Sequence, residues 1–111
     1  MDRIDHLYNT ILAFREERDW KKFHTPENLA KSIVIESAEL LENFQWGDEV
    51  DKDEVCDELA DILIYAFLMA EAIGVEVDDI MLRKIEKNKK RFPVSHVKGN
   101  SGKNTRVDIE E

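Results

Sequence analysis

The chain has 111 residues, 42% hydrophobic and 37% charged, with a formal net charge of −9. Such a length suits one domain, and the acidic balance excludes binding to polymeric nucleic acid through a general basic surface. Cys56 is the single cysteine, which excludes an intrachain disulfide and favours a reducing compartment. The longest apolar run, Ile62 to Ala70, is far short of the roughly 20 residues that span a bilayer, and the N-terminus carries no signal-peptide pattern. These features together predict a cytoplasmic protein without a membrane partner. Four glycines, two prolines and no clean apolar–polar alternation predict an all-α fold of long helices with short connections.

Ile4, Leu7, Tyr8, Ile11, Phe14 and Arg18 recur at helical spacing, which predicts an amphipathic first helix from about Asp2 to Arg18. A short aromatic loop, Asp19 to His24, follows. Thr25 as N-cap and Pro26 at the first helical position start a second helix, expected to reach Trp46 and stop at Gly47. Asp48 to Asp51 form an acidic turn. The third helix is expected to begin near Asp51 or Asp53 and to end at Ile73-Gly74, with glycine as the cap. A fourth begins at Asp78 or Asp79 and ends before Pro93. From Val94 to Glu111 the chain is polar and unpatterned. One all-α domain over 1–93 and a mobile tail over 94–111 are the expectation.

Four acidic residues stand out by their surroundings. On a helical wheel, Ile33, Val34, Ile35, Ala38, Leu40, Leu41 and Phe44 cover more than half of the second helix. Glu36 and Glu39 fall in the remaining sector, and Asn43 and Trp46 extend that stripe. After Asp61 the third helix is apolar on every side through Ala70, the pattern of a buried helix. Glu58 and Asp61 lie one turn upstream on one face, with Tyr65 continuing it. Carboxylates entering a buried zone cost several kcal/mol unless paired or bound to a metal. The two central helices contain no arginine, and Lys31 and Lys52 are their only lysines. A hard cation with oxygen ligands fits such a quartet, and Mg2+ fits best, since it takes a few carboxylates plus water and phosphate oxygens. On residue pattern alone, a solvated acidic stripe with surface salt bridges accounts for these positions equally well.

Glu36-Ser37-Ala38-Glu39, then eighteen residues, then Glu58-Leu59-Ala60-Asp61 resembles the ExxE…ExxD signature of the MazG-type nucleotide pyrophosphohydrolases in the all-α NTP pyrophosphatase superfamily. The likeness runs from about Arg18 to Pro93. Arg18-Asp19-Trp20, Phe23-His24-Thr25-Pro26 and Asn28-Leu29 resemble the opening segment of the short single-domain members, including the dCTP pyrophosphatases. Phe44-Gln45-Trp46, Ile62-Leu63-Ile64-Tyr65 and the stretch Lys84 to Pro93 are similar to them as well.

The resemblance implies a four-helix protomer that assembles into a homodimer or a dimer of dimers (a homotetramer). It implies cleavage of a nucleoside triphosphate between the α and β phosphates, dependent on Mg2+ with Mn2+ able to substitute. Glu36, Glu39, Glu58 and Asp61 would hold the metal, and either Glu39 or Glu36 would take a proton from the attacking water. Lys84, Asn88 and Arg91 fall on one stripe of the fourth helix and by resemblance meet phosphate oxygens; Lys31 is a further phosphate candidate. Read without the resemblance, a basic helix end complementing the helix dipole is the simpler account of that stripe. Trp20, His24, Trp46 and Tyr65 are the base-pocket candidates, because aromatic faces stack on nucleobases. A plug of Trp20 and Phe23 beneath the loop is the competing account, and His24 or Asn28 could serve the Thr25-Pro26 turn.

The aromatic loop leans toward a pyrimidine deoxynucleotide, dCTP or a modified relative, and so toward house-cleaning of the nucleotide pool. A sister activity on dUTP or phosphoribosyl-ATP is the alternative within enzymes. A di-iron carboxylate bundle requires Glu-x-x-His pairs, which Glu36 and Glu58 do not form. A non-catalytic oligomeric helical module is the remaining class, although such a seam would gain by replacing buried acids with apolar residues.

Overall fold

Three helix starts follow from side chains that accept from the otherwise unpaired N–H groups of a first turn. Asp2 accepts from the Asp5 N–H at 2.8 Å, Thr25 from the Asn28 N–H at 3.2 Å, and Asp51 from the Asp53 and Glu54 N–H groups at 2.9 and 3.4 Å. The computed structural model describes residues 2–47 and 49–100, and among these every regular element is helical. In chain order they are α1 (Arg3–Glu17), a 3-10 turn (Lys21–Phe23), α2 (Pro26–Glu42), α3 (Lys52–Ile73), α4 (Val77–Arg91) and a single turn, α5 (Val94–Val97).

Several ends differ from the sequence expectation. α2 stops at Glu42, not Trp46. The N–H groups of Asn43, Phe44 and Gln45 bond back three residues, to Leu40, Leu41 and Glu42. This tightening unwinds the last turn, so Trp46 leaves the helical stripe of Glu39 and stands 89% exposed. α4 starts at Val77, with Glu76 as its cap, slightly before the expected Asp78. Val94–Val97 forms one helical turn where an unpatterned tail was expected, because the His96, Val97 and Lys98 N–H groups bond back to Pro93 and Val94. Residues 101–111 of that tail and Asp48 of the acidic turn lie outside the described residues. Gly74 ends α3 as expected, at φ 76°, a left-handed conformation that suits a residue without Cβ.

The chain divides into two compact units, one running to Val75 and the other starting at Glu76. In the first, α2 and α3 form an antiparallel hairpin with extensive contact, and α1 lies along α3. Tyr8 stacks at a tilt on Phe67 with ring centroids 5.0 Å apart, and Arg15 reaches Glu71 at 2.8 Å. These two contacts advance in the same direction along both helices. Leu29, at 1% exposure, and Leu68 and Ala70 are the buried apolar residues of this unit. The second unit holds α4 and α5, with Val77 buried at the start of α4. No helix among the described residues is long and apolar enough to cross a membrane.

Candidate active site

The hairpin brings the four carboxylates of the two acidic pairs to one region. Glu36 and Glu39 lie one turn apart on α2, and Glu58 and Asp61 one turn apart on the opposing stretch of α3. Burial, hydrogen bonding with Glu39, and the negative charges of Glu39, Asp61 and Glu58 push the Glu36 carboxyl above its ordinary range. Four like charges this close raise the cost of ionising any one of them. They also repel, and the four stand at electrostatic range: among the described residues no three His, Cys, Asp or Glu side chains close into a ready ligand cluster. Asn43, the residue closing α2, donates its side-chain N–H to Glu58 and ties that carboxylate to the facing helix.

Beside this region lies a cavity of about 340 Å³ lined by Thr10, Ile11, Phe14 and Arg15 of α1, Trp20 and His24 of the loop, and Asp61, Ile64, Tyr65 and Leu68 of α3. Its size is in the range of small-molecule pockets. Three of the four base candidates, Trp20, His24 and Tyr65, meet here, and Asp61 belongs to both the cavity and the acidic group. Trp46 is not among the lining residues.

The loop that supplies Trp20 and His24 is held by local bonds. The Trp20 N–H donates to the Arg15 carbonyl at 3.1 Å. The Trp20 ring meets Phe14 edge-on with centroids 5.7 Å apart, and the Arg18 guanidinium lies 3.7 Å over the Phe14 ring. Asp19 takes φ 54°, a left-handed turn that Asp tolerates better than most residues. Asn28 donates its side-chain N–H to the Phe23 carbonyl at 3.0 Å, so in this structure it fixes the loop. Burial, and then the Arg15 charge, hold the His24 pKa below its ordinary value.

Sequence reasoning missed Arg15 as a site residue, yet it is 4% exposed and lines the cavity. The signal was available: it follows Tyr8 and Ile11 by seven and four residues, on their apolar stripe. Among the phosphate candidates, Lys31 on α2 is exposed and pairs with Glu27 at 3.3 Å. Lys84, Asn88 and Arg91 share one stripe of α4 in the second unit, with Lys84 exposed and the other two half-buried. On the same helix Lys89 donates to Glu86 at 2.8 Å, which holds the Glu86 carboxyl below its ordinary range.

A model of the MazG-like family matches residues 31–106. The chain is similar to dCTP pyrophosphatase 1 of Bos taurus, 35% identical over 112 residues covering 92% of this chain and 66% of that protein. It is similar to the Mus musculus protein of the same name at 33% over the same coverage, and to the Homo sapiens one at 33% over 114 residues, 94% of this chain and 67% of that protein. It thus spans about two thirds of the length of these curated relatives. Among solved structures, a pyrophosphatase from Archaeoglobus fulgidus superposes with a TM-score of 0.77 at 39% identity, covering 84% of this chain and 94% of that one.

Proposed function

This chain belongs to the MazG-like family, and from that premise we propose that it hydrolyses nucleoside triphosphates between the α and β phosphates, with Mg2+ held by Glu36, Glu39, Glu58 and Asp61. The observation that carries this reading is the meeting at Asp61 of an acidic group and an aromatic-lined cavity. A base can enter the cavity while the phosphates extend toward the carboxylates.

The donor set fits a hard divalent cation, because it offers carboxylate oxygens alone. The raised Glu36 pKa marks uncompensated anionic charge, which a cation would relieve. When bound, Mg2+ would neutralise phosphate oxygens and acidify a nearby water. Glu39 or Glu36 takes the proton from the attacking water. That water's oxygen bonds to the α phosphorus as the bond from that phosphorus to the α–β bridging oxygen breaks, and pyrophosphate departs carrying the bridging oxygen and its electron pair. One water is consumed, and a monophosphate and pyrophosphate result. Asn43 holds Glu58 in place; in the second unit, the stripe of Lys84, Asn88 and Arg91 is proposed as phosphate-binding.

The names of the relatives and the aromatic wall formed by Trp20 and Tyr65 favour a pyrimidine deoxynucleotide, dCTP or a modified form, as substrate. The protein acts in the cytoplasm, where its lone cysteine stays reduced. It works as a homodimer or dimer of dimers. Val34, Ile35, Leu41 and Phe44 of the α2 segment and Leu59 and Leu63 of α3 are exposed in the single chain, an apolar surface that a second copy would cover.

The test is pyrophosphate release from a panel of ribo- and deoxynucleoside triphosphates, with Mg2+ and with EDTA. Mg2+-dependent release with equimolar monophosphate is the expected result. Silence across the panel from folded, Mg2+-binding protein would refute triphosphate hydrolysis.

A further inference from the structure

Arg15 is the one buried charged residue among those described, and the proposed reaction gives it no part. It stands at the end of α1, where the backbone builds a Schellman motif. The Asp19 N–H donates to the Glu16 carbonyl and the Trp20 N–H to the Arg15 carbonyl, both at 3.1 Å, around the left-handed Asp19. The Trp20 ring turns back edge-on to Phe14, the apolar contact that completes such a motif. Local bonds therefore fix Trp20 to the frame of α1.

The facing wall of the cavity belongs to α3. Asp61, Ile64, Tyr65 and Leu68 line it, and Glu71 continues their stripe one turn further on. At that point Arg15 Nη1 donates to Glu71 at 2.8 Å, while Nε and Nη2 donate to Glu16 at 2.9 and 2.6 Å. One residue thus holds Trp20 through its carbonyl and α3 through its guanidinium. The Tyr8–Phe67 ring contact between the same helices lies roughly 10 Å up α1 from Arg15, so Arg15 is the tie at the loop. Desolvation makes a buried ion pair a poor source of stability, and setting registry is its best-attested use.

Resting on the pyrophosphohydrolase reading, we propose that Arg15 and Glu71 are a positioning pair: they register the end of α1 against α3 and so set the gap between Trp20 and the Asp61–Tyr65 wall that admits the nucleobase. The pair acts through Trp20, not by touching the base. Stacking tolerates little error in that gap, because a radial gap of about 0.5–1 Å already forfeits a quarter to a half of the contact attraction.

The test uses the full chain and variants chosen to keep the fold. Arg15→Met/Glu71→Leu replaces the pair with apolar side chains, a change that buried ion pairs often accept without loss of stability. Glu71→Ala cuts the tie to α3 but leaves Arg15 its Glu16 partner. Arg15→Lys can still reach Glu71, which takes a single hydrogen bond from Arg15, and serves as the rescue. The readouts are KM and kcat for the preferred triphosphate, Tm, and the Trp20 indole 1H–15N signal, assigned with Trp20→Phe, with and without dCMP. In both uncoupled variants KM should rise about fivefold or more, the lower end of what one base–aromatic stack contributes, with kcat little changed. The Tm of the apolar pair should hold. dCMP should shift the Trp20 signal in the unaltered chain and in Arg15→Lys, and leave it unmoved in the uncoupled variants. A pair that served stability alone would lower Tm and spare both KM and the dCMP response. That result in either folded variant, or a Trp20 signal indifferent to dCMP in the unaltered chain, would overturn the inference. The indole signal needs no turnover. A chain that hydrolyses nothing, yet shows a dCMP response that the variants lose, would refute the reaction and leave the pair in its role.

Discussion

Asn43 and Glu58 are joined by a side-chain hydrogen bond that crosses from the end of α2 to the early turns of α3. The same amide lies 3.3 Å from the Glu39 carbonyl and 3.4 Å from that of Leu40, so the end of one helix orients a carboxylate on the other. Removing a partner that orients a metal ligand typically costs 10–100-fold in affinity. Asn43→Ala should weaken Mg2+ or Mn2+ binding by about that factor in calorimetric titration, with helical content intact. Unaltered affinity would separate Asn43 from the metal site.

Glu36 titrates above its unfolded value in the folded chain. Over the interval between the two values the folded state holds the proton more tightly, so stability falls as pH rises through it. At neutral pH the ionised Glu36 therefore opposes folding. Glu36→Gln should raise the Tm of EDTA-treated protein at pH 7 by roughly 1–4 °C while abolishing pyrophosphate release. A lower Tm would contradict the electrostatic account.

For His24 the sign is reversed. Its folded pKa lies below the ordinary value of 6.5, so the unfolded chain binds the proton more readily in between. Stability from this residue is fully present above about 6.5 and is lost as pH falls through the lowered folded value. Urea midpoints measured from pH 8 to pH 5 should drop more steeply for the unaltered chain than for His24→Gln. Parallel curves would remove His24 from the acid response.

Leu29 is the most buried side chain of the first unit and Trp46 the most exposed large apolar one. Leu29→Ala should cost about 2–5 kcal/mol in denaturant unfolding. Trp46→Ala should stay within about 0.5 kcal/mol, so any change it makes to KM would report on substrate or subunit contact.

Val34 on α2 and Leu63 on α3 both stand more than half exposed, at 68% and 51%. On the proposed assembly, Val34→Glu/Leu63→Glu should convert oligomers to single chains in light scattering, since a charge at an apolar seam between copies is strongly unfavourable. Unchanged mass would place the subunit interface elsewhere.

The four long helices were legible because their signals are local. Thr25-Pro26, Asp51 and Gly74 act within a turn of themselves, and the apolar spacing shows which residues share a face. The acidic quartet was legible for a similar reason, since Glu36 and Glu39, like Glu58 and Asp61, share a face by spacing alone. Other features depend on atoms distant in sequence. Asn43 finds Glu58 only after the hairpin closes, and Arg15 becomes a buried, ion-paired wall of a cavity only when Glu71 arrives from α3. The end of α2 is a near miss of the same kind: helical periodicity carries through Trp46, but three-residue bonds unwind the turn after Glu42 and free that ring. Periodicity along one helix determines which residues share a face. Which face meets which, and whether a polar group there finds a partner, is decided by packing between helices, because desolvation and pairing energies exist only once both sides are in place.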